Sequence, residues 1–263
     1  MVVVGFILSI FIGIALGLIG GGGSILTVPV LVYLFHVDPV TATGYSLFVV
    51  GVTSAMGSLR YFHSKLVHFK AAIVFGIPSM LAVYLTRSLI VPTIPHIMIS
   101  WGSFQLTKPL FMMILFGSLM ITAAIAMIKG SSTETKQDII AFNYPMILLQ
   151  GLVEGSLTGF VGAGGGFLII PALVIFSRLP MKQAIGTSLV IISAKSLLGF
   201  TVEMSRENLD WSLLLLVTGA AIVGIFVGTF LSKRIDGTKL KPAFGWFVLC
   251  MGVYIISREL WIN

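Results

Sequence analysis

Long apolar runs separated by short polar breaks follow one another along nearly the whole chain. In the first half they cover roughly 2–19, 23–35, 40–59, 70–90 and 109–128. In the second they cover roughly 143–161, 165–177, 183–202, 211–231 and 242–257. Runs this long and this poor in charge predict membrane-crossing helices. The second run of each half is the exception. Its length of about 13 residues gives about 20 Å of helix against a hydrocarbon layer of about 30 Å. It cannot cross upright, which leaves a re-entrant or a tilted segment. The expected fold is all-α and polytopic, with five segments per half and the second of each half short and broken by glycine.

The two halves are copies. An offset of 142 residues lays Gly17–Arg60 over Gly159–Val202 without a gap. Gly17, Gly20, Gly22, Gly23, Leu26, Pro29, Leu31, Ala42, Gly44, Ser46, Leu47, Ser54 and Gly57 all meet identical residues. Apolar bias alone would align leucines and valines; it would not align glycines, prolines and serines, so the match marks a duplication. A Lys-Pro pair also recurs, at Lys108-Pro109 and Lys241-Pro242, before the last run of each half. The domain reading is therefore a first repeat over 1–128, a polar cytoplasmic linker over 129–142, and a second repeat over 143–263.

Charge decides orientation. With 57% hydrophobic and 10% charged residues, the chain cannot be an ordinary soluble domain. If each segment crosses, or if the first two of a half form a re-entrant pair, one side collects Arg60, Lys65, Lys70, Lys129, Lys136, Arg178, Lys182, Lys233, Arg234, Lys239 and Lys241. The other collects only Arg87, Lys108, Arg206 and Arg258. The rule that basic loops stay in the cytoplasm puts both termini outside it. Five segments per half is an odd number, so the second half is inverted relative to the first. The net charge of +7 is then an orientation signal, and no clustered basic face suggests nucleic acid. The first run lacks the basic residues that begin a signal peptide and reads as a membrane segment. The single cysteine, Cys250, excludes an intrachain disulfide.

Short, glycine-broken segments at matching positions of two halves point to a transporter binding site. GLIGGGGS superficially resembles a phosphate loop, but no lysine follows Gly23, so that motif is excluded. The glycines instead leave the backbone amides at Gly22, Gly23 and Ser24 free at a helix start, with Gly164, Gly165 and Gly166 as their copies. Such a terminus carries about half a positive charge and donates hydrogen bonds to an anion. Gly20 and Gly162 begin the two clusters and complete the candidate loops. The competing explanation is close helix packing, which suits the unduplicated Gly5, Gly13, Gly117 and Gly252 better.

Lys195 lies about 20 Å of helix rise into its segment, at the depth expected of Gly164–Gly166. A buried cation at that depth is a functional candidate. Its copy in the first half is Thr53, so the site is asymmetric. Lys195 either contacts the anion directly or pairs with Glu154, the only other deeply placed charge on this reading. The Glu154 pairing admits a coupling proton. Ser46 and Ser188, with Thr43 and Thr187 beside them, offer hydroxyls, although such groups often bond their own helix. His36, His63, His68 and His96 are dispersed, without metal-ligand spacing. Trp101, Trp211, Trp246 and Trp261 read as interfacial anchors.

The stretches GLIGGGGSILTVPVL and GFVGAGGGFLIIPALV, each followed by an Ala-x-Gly-x-Ser segment (ATGYS and AIGTS), resemble the sulfite exporter (TauE/SafE) family. The resemblance covers essentially the whole chain. It implies a carrier in a bacterial-type inner membrane, without cofactor or metal, that moves sulfite or an organosulfur anion. The alternatives are an anion channel and a carrier of a non-sulfur anion such as a carboxylate. An enzyme would need a catalytic constellation; HExxH, an intramembrane aspartate dyad and a Ser–His arrangement are all missing. A scaffold would not need duplicated glycine loops. Oligomeric state stays open.

Overall fold

The computed structural model describes residues 2–262 except Gly22, 102–103, 130–143, Ala163, Arg178, 205–208 and 233–236. The linker therefore lies outside the described residues. The helices are α1 (Val2–Ile19), α2 (Ser24–Tyr33), α3 (Pro39–His63), α4 (Phe69–Leu85), α5 (Val91–Thr93), α6 (Lys108–Lys129), α7 (Tyr144–Val161), α8 (Gly166–Phe176), α9 (Met181–Met204), α10 (Trp211–Leu231) and α11 (Gly237–Ile262). Among the described residues, five stretches are long and apolar enough to cross a membrane: Pro39–His63, Phe69–Thr93, Lys108–Ile125, Met181–Met204 and Trp211–Leu231.

The duplication extends to element boundaries. At the 142-residue offset α1 covers α7 end to end, and α2, α3 and α4 begin where α8, α9 and α10 begin. Local chemistry explains the starts. Asp38 caps α3 by accepting from the amides of Val40 at 2.9 Å and Thr41 at 3.2 Å, with Pro39 in the first turn. Asp210 caps α10 through the amide of Leu213 at 3.0 Å, and its copy His68 caps α4 through Ala71 at 3.2 Å. Asp210→Ala should therefore lower stability by about 1 kcal/mol in thermal unfolding, with insertion unchanged.

Packing is reciprocal: α1 lies along α10, α4 along α7, α3 against α9, and α6 beside α11. Glycines set the close approaches. Gly13 and Gly17 press on the α10 backbone at Ala221, Ile225 and Gly228, while their copies Gly155 and Gly159 press on α4 at Ser79, Val83 and Thr86. Gly117 and Gly252 face each other across α6 and α11, and Gly5 accommodates the Phe35 ring. The central pair, α3 and α9, is the most buried of the long helices. Outward rows such as Phe69, Ile73, Ile77 and Leu81 of α4 or Leu215, Leu216, Val223 and Phe226 of α10 stay exposed. An apolar girdle of this extent suits lipid rather than water.

Four features depart from expectation. A π-helical turn, Thr86–Ile90, follows α4, and an antiparallel hairpin, β1 (Ile97–Trp101) and β2 (Phe104–Thr107), follows α5. The fold is thus all-α apart from this hairpin, which has no counterpart among the described residues of the second half. The Lys-Pro pair opens α6, but α11 begins at Gly237, ahead of Lys241-Pro242. Glu154 and Lys195 are also not the only buried charges. The π turn turns Arg87 inward, fully buried, and its Nη1 lies 3.0 Å from Oε1 of buried Glu203 on α9. That helix runs past the expected end of its apolar segment at 202, so Glu203 lies one residue beyond it.

Candidate functional site

The sequence breaks each first helix with glycines because the chain must reverse there. Gly20 and its copy Gly162 have φ of 76° and 70°, and Gly164 and Gly165 have 65° and 61°. These are left-handed conformations that cost a side-chain-bearing residue about 1–2 kcal/mol. Each loop then enters a short helix, α2 after Gly23 and α8 after Gly165.

The loops of the two halves meet. The space for a side chain on Gly21 is filled by the backbone of Gly166, and that on Gly166 by Gly21 and Ile192. Gly20 packs on Ile185 and Gly162 on the copy of that residue, Thr43. Gly23 lies on the α1 backbone at Ile12 and Leu16. Gly164 faces Val50, Ile192 and Ser196. Gly22 lies outside the described residues. All described residues from Gly20 to Leu31, and Gly164–Gly166, are buried.

Against Gly165 sits a buried polar cluster drawn from three helices. Glu154 of α7 accepts from Ser79 of α4 at 2.7 Å on Oε2. Its Oε1 accepts from Thr158, one turn along α7, at 2.7 Å, and from the ammonium of Lys195. Lys195 Nζ also donates to Thr158 Oγ1 at 3.3 Å. A Cβ on Gly165 would collide with Glu154, Thr158 and Lys195 together. Gly164–Gly166, Lys195 and Glu154 are thus brought to one place. Ser79 and Thr158 were not singled out from the sequence. Thr158 had a signal, the four-residue spacing from Glu154; Ser79 arrives only through the packing of α4 on α7.

The hydroxyl candidates divide. Ser24 Oγ donates to Gly21 O at 2.7 Å, and Thr43 Oγ1 to Val40 O at 2.6 Å. Ser188 Oγ lies 2.8 Å from both Gly20 O and Ile185 O, which ties its helix to the first loop. Thr187 Oγ1 accepts from the His68 amide at 2.9 Å. These groups are engaged with backbone. Ser46 Oγ, by contrast, has no hydrogen-bond partner among the described residues, nor do Thr53, Ser54 and Ser196, all fully buried on the central helices α3 and α9.

A lipid-girdled bundle with two apposed, glycine-broken half-helices and buried charge beside them defines a membrane transporter. The chain belongs to the family described as "Sulfite exporter TauE/SafE", whose model matches residues 5–255. It is 31% identical to a "Probable membrane transporter protein" of Xylella fastidiosa (strain Temecula1), over 94% of this chain and 92% of that one. It is 27% identical to "Probable membrane transporter protein YunE" of Bacillus subtilis, over 97% and 98%. With "Probable membrane transporter protein MJ0441" of Methanocaldococcus jannaschii it shares 32%, over 79% and 73%. No solved structure matches the chain. The family and relatives mark it as a transporter, not an enzyme.

Proposed function

We propose that the protein carries a small sulfur oxyanion, sulfite or an organosulfonate, by alternating access around the apposed loops. The observation that carries this reading is the convergence of the α8 N-terminus and Lys195 at Gly165. A helix terminus in a partly buried setting contributes at most about 2 kcal/mol to an anion. Removing an ion from water costs several kcal/mol. The terminus alone therefore falls short, and a full positive charge next to it is needed; Lys195 supplies it. The α8 N-terminus and the hydroxyl of Ser196, which lies against Gly164 and has no hydrogen-bond partner among the described residues, are donors suited to an anion with three oxygens around sulfur. Gly20 and Gly23, with Ser24, form the opposing wall in the first half, and Gly162 and Ser188 hold the two loops in register.

Backbone contact between Gly21 and Gly166 favours a carrier with an occluded site over an open channel. Alternating access then follows from the two repeats, 1–128 and 143–263, rocking about this point in opposite orientations across a cytoplasmic membrane. The termini lie outside the cytoplasm, and the linker over 129–142 lies inside. Cysteines placed in the linker should react with membrane-impermeant maleimide only from the cytoplasmic face. Labelling from outside would overturn the inverted arrangement.

The substrate class is tested on detergent-purified protein with sulfite, sulfate, thiosulfate, methanesulfonate, taurine and acetate. A ligand that binds only the native state stabilises it by mass action, by about 2.7 kcal/mol at a hundred times its dissociation constant, and so raises the unfolding temperature. Sulfite or methanesulfonate should shift it and acetate should not. A response to acetate alone would place the protein among carboxylate carriers.

A further inference from the structure

The molecule contains its own control for the buried ion pair. At the 142-residue offset the copies of Ser79, Glu154, Thr158 and Lys195 are Ala221, Ile12, Leu16 and Thr53. These four are equally buried, and Ile12 and Leu16 lie against Gly23 of the first loop as Glu154 and Thr158 lie against Gly165. The fold therefore fills the equivalent positions of the other half without an ion pair. A buried ion pair confers little or no stability over a packed apolar substitute. Stability does not account for the charges in the other half.

Their arrangement suggests what does. Glu154 and Lys195 together carry no net charge. An anion at the α8 N-terminus beside Gly165 would lie beside Lys195 and also beside the carboxylate that now holds it. An ionised Glu154 repels that anion; a protonated one does not. We infer that the pair is a proton-coupling switch: the anion takes Glu154's place at Lys195, and Glu154 takes up one proton from the open side. Anion and proton then cross together and leave together. The cluster is neutral when empty and neutral when loaded with a monovalent anion and a proton. Ser79 and Thr158, which donate to the carboxylate in the empty state, can accept from its protonated form by rotating their hydroxyls. This inference rests on the anion-carrier reading.

Among the described residues, Lys195 is the charged group that contacts Glu154. The other elements packed on α7 bring no second charge to it. The described part of α8 has no ionisable residue, α4 carries only Lys70 near its start, and α6 has Lys108 and Lys129 at its ends. The π turn contributes Arg87, paired with Glu203.

The experiment uses methanesulfonate and isethionate, whose sulfonate charge is fixed across the neutral range. Each is titrated into purified protein by calorimetry in two buffers of different ionisation enthalpy. The wild type should take up about one proton per anion, and its affinity should fall by up to about tenfold per pH unit as pH rises. Glu154→Gln, which preserves the side-chain shape, should bind with pH-independent affinity and no proton uptake. Anion binding by the wild type without proton uptake overturns the coupling and leaves the carrier reading standing. Uptake that persists in Glu154→Gln overturns the assignment to this residue. If neither sulfonate binds the wild type, the organosulfonate reading falls and this inference with it.

Discussion

Lys195→Met is expected to destabilise the folded protein by about 3–5 kcal/mol, because it leaves the Glu154 carboxylate buried without its cation. Glu154→Leu alone should cost a similar amount by stranding the ammonium. The double variant should recover most of the loss, since the first half already packs Ile12 and Thr53 at the equivalent positions. Thermal unfolding of the four proteins in one detergent reads the coupling directly. Additive losses would mean that the two charges act independently. The recovered double variant should nevertheless fail to bind the anion, which separates its fold from its function.

The second large effect is expected at Gly165. Its φ of 61° disfavours any side chain, and a Cβ there would displace Glu154, Thr158 and Lys195 at once. Gly165→Val should abolish transport while the protein still inserts and folds into a bundle, because α1–α10 and α4–α7 packing lies elsewhere. Gly155→Val is the contrasting case. It would force α7 off the α4 backbone at Ser79 and should lower expression and stability first. Full transport by Gly165→Val would reduce the glycine loop to a packing element.

Most of the bundle was legible because membrane helices announce themselves by length and lack of charge. The duplication then fixed which elements correspond. What escaped had local causes. The π turn at Thr86–Ile90 sits inside a continuous apolar run, where nothing in the pattern distinguishes it from α-helix. Arg87 was consequently counted with the basic residues of one membrane side instead of as a buried charge. The hairpin at 97–107 is a short insertion in one half, so the repeat could not predict it.

The candidate site was legible in outline. Glycines and a lysine deep in a segment are conspicuous in an apolar chain, and their contact at Gly165 follows from matched depths. Ser79 and Thr158 were hidden because a hydroxyl in a membrane helix is ordinary. Extending the repeat comparison beyond Gly17–Arg60 would have exposed both, since Ser79 faces Ala221 and Thr158 faces Leu16 in that alignment. Contact between Gly21 and Gly166 joins a loop of one half to a helix start of the other, and only the assembled bundle brings them together.

Uptake of radiolabelled sulfite into liposomes containing the wild type or Gly165→Val tests the anion site most directly. The wild type should show uptake that saturates with sulfite concentration, and the variant should match empty liposomes at equal protein incorporation. Uptake that rises linearly without saturating, or that is equal in the two proteins, would contradict a carrier built around the Gly165 loop.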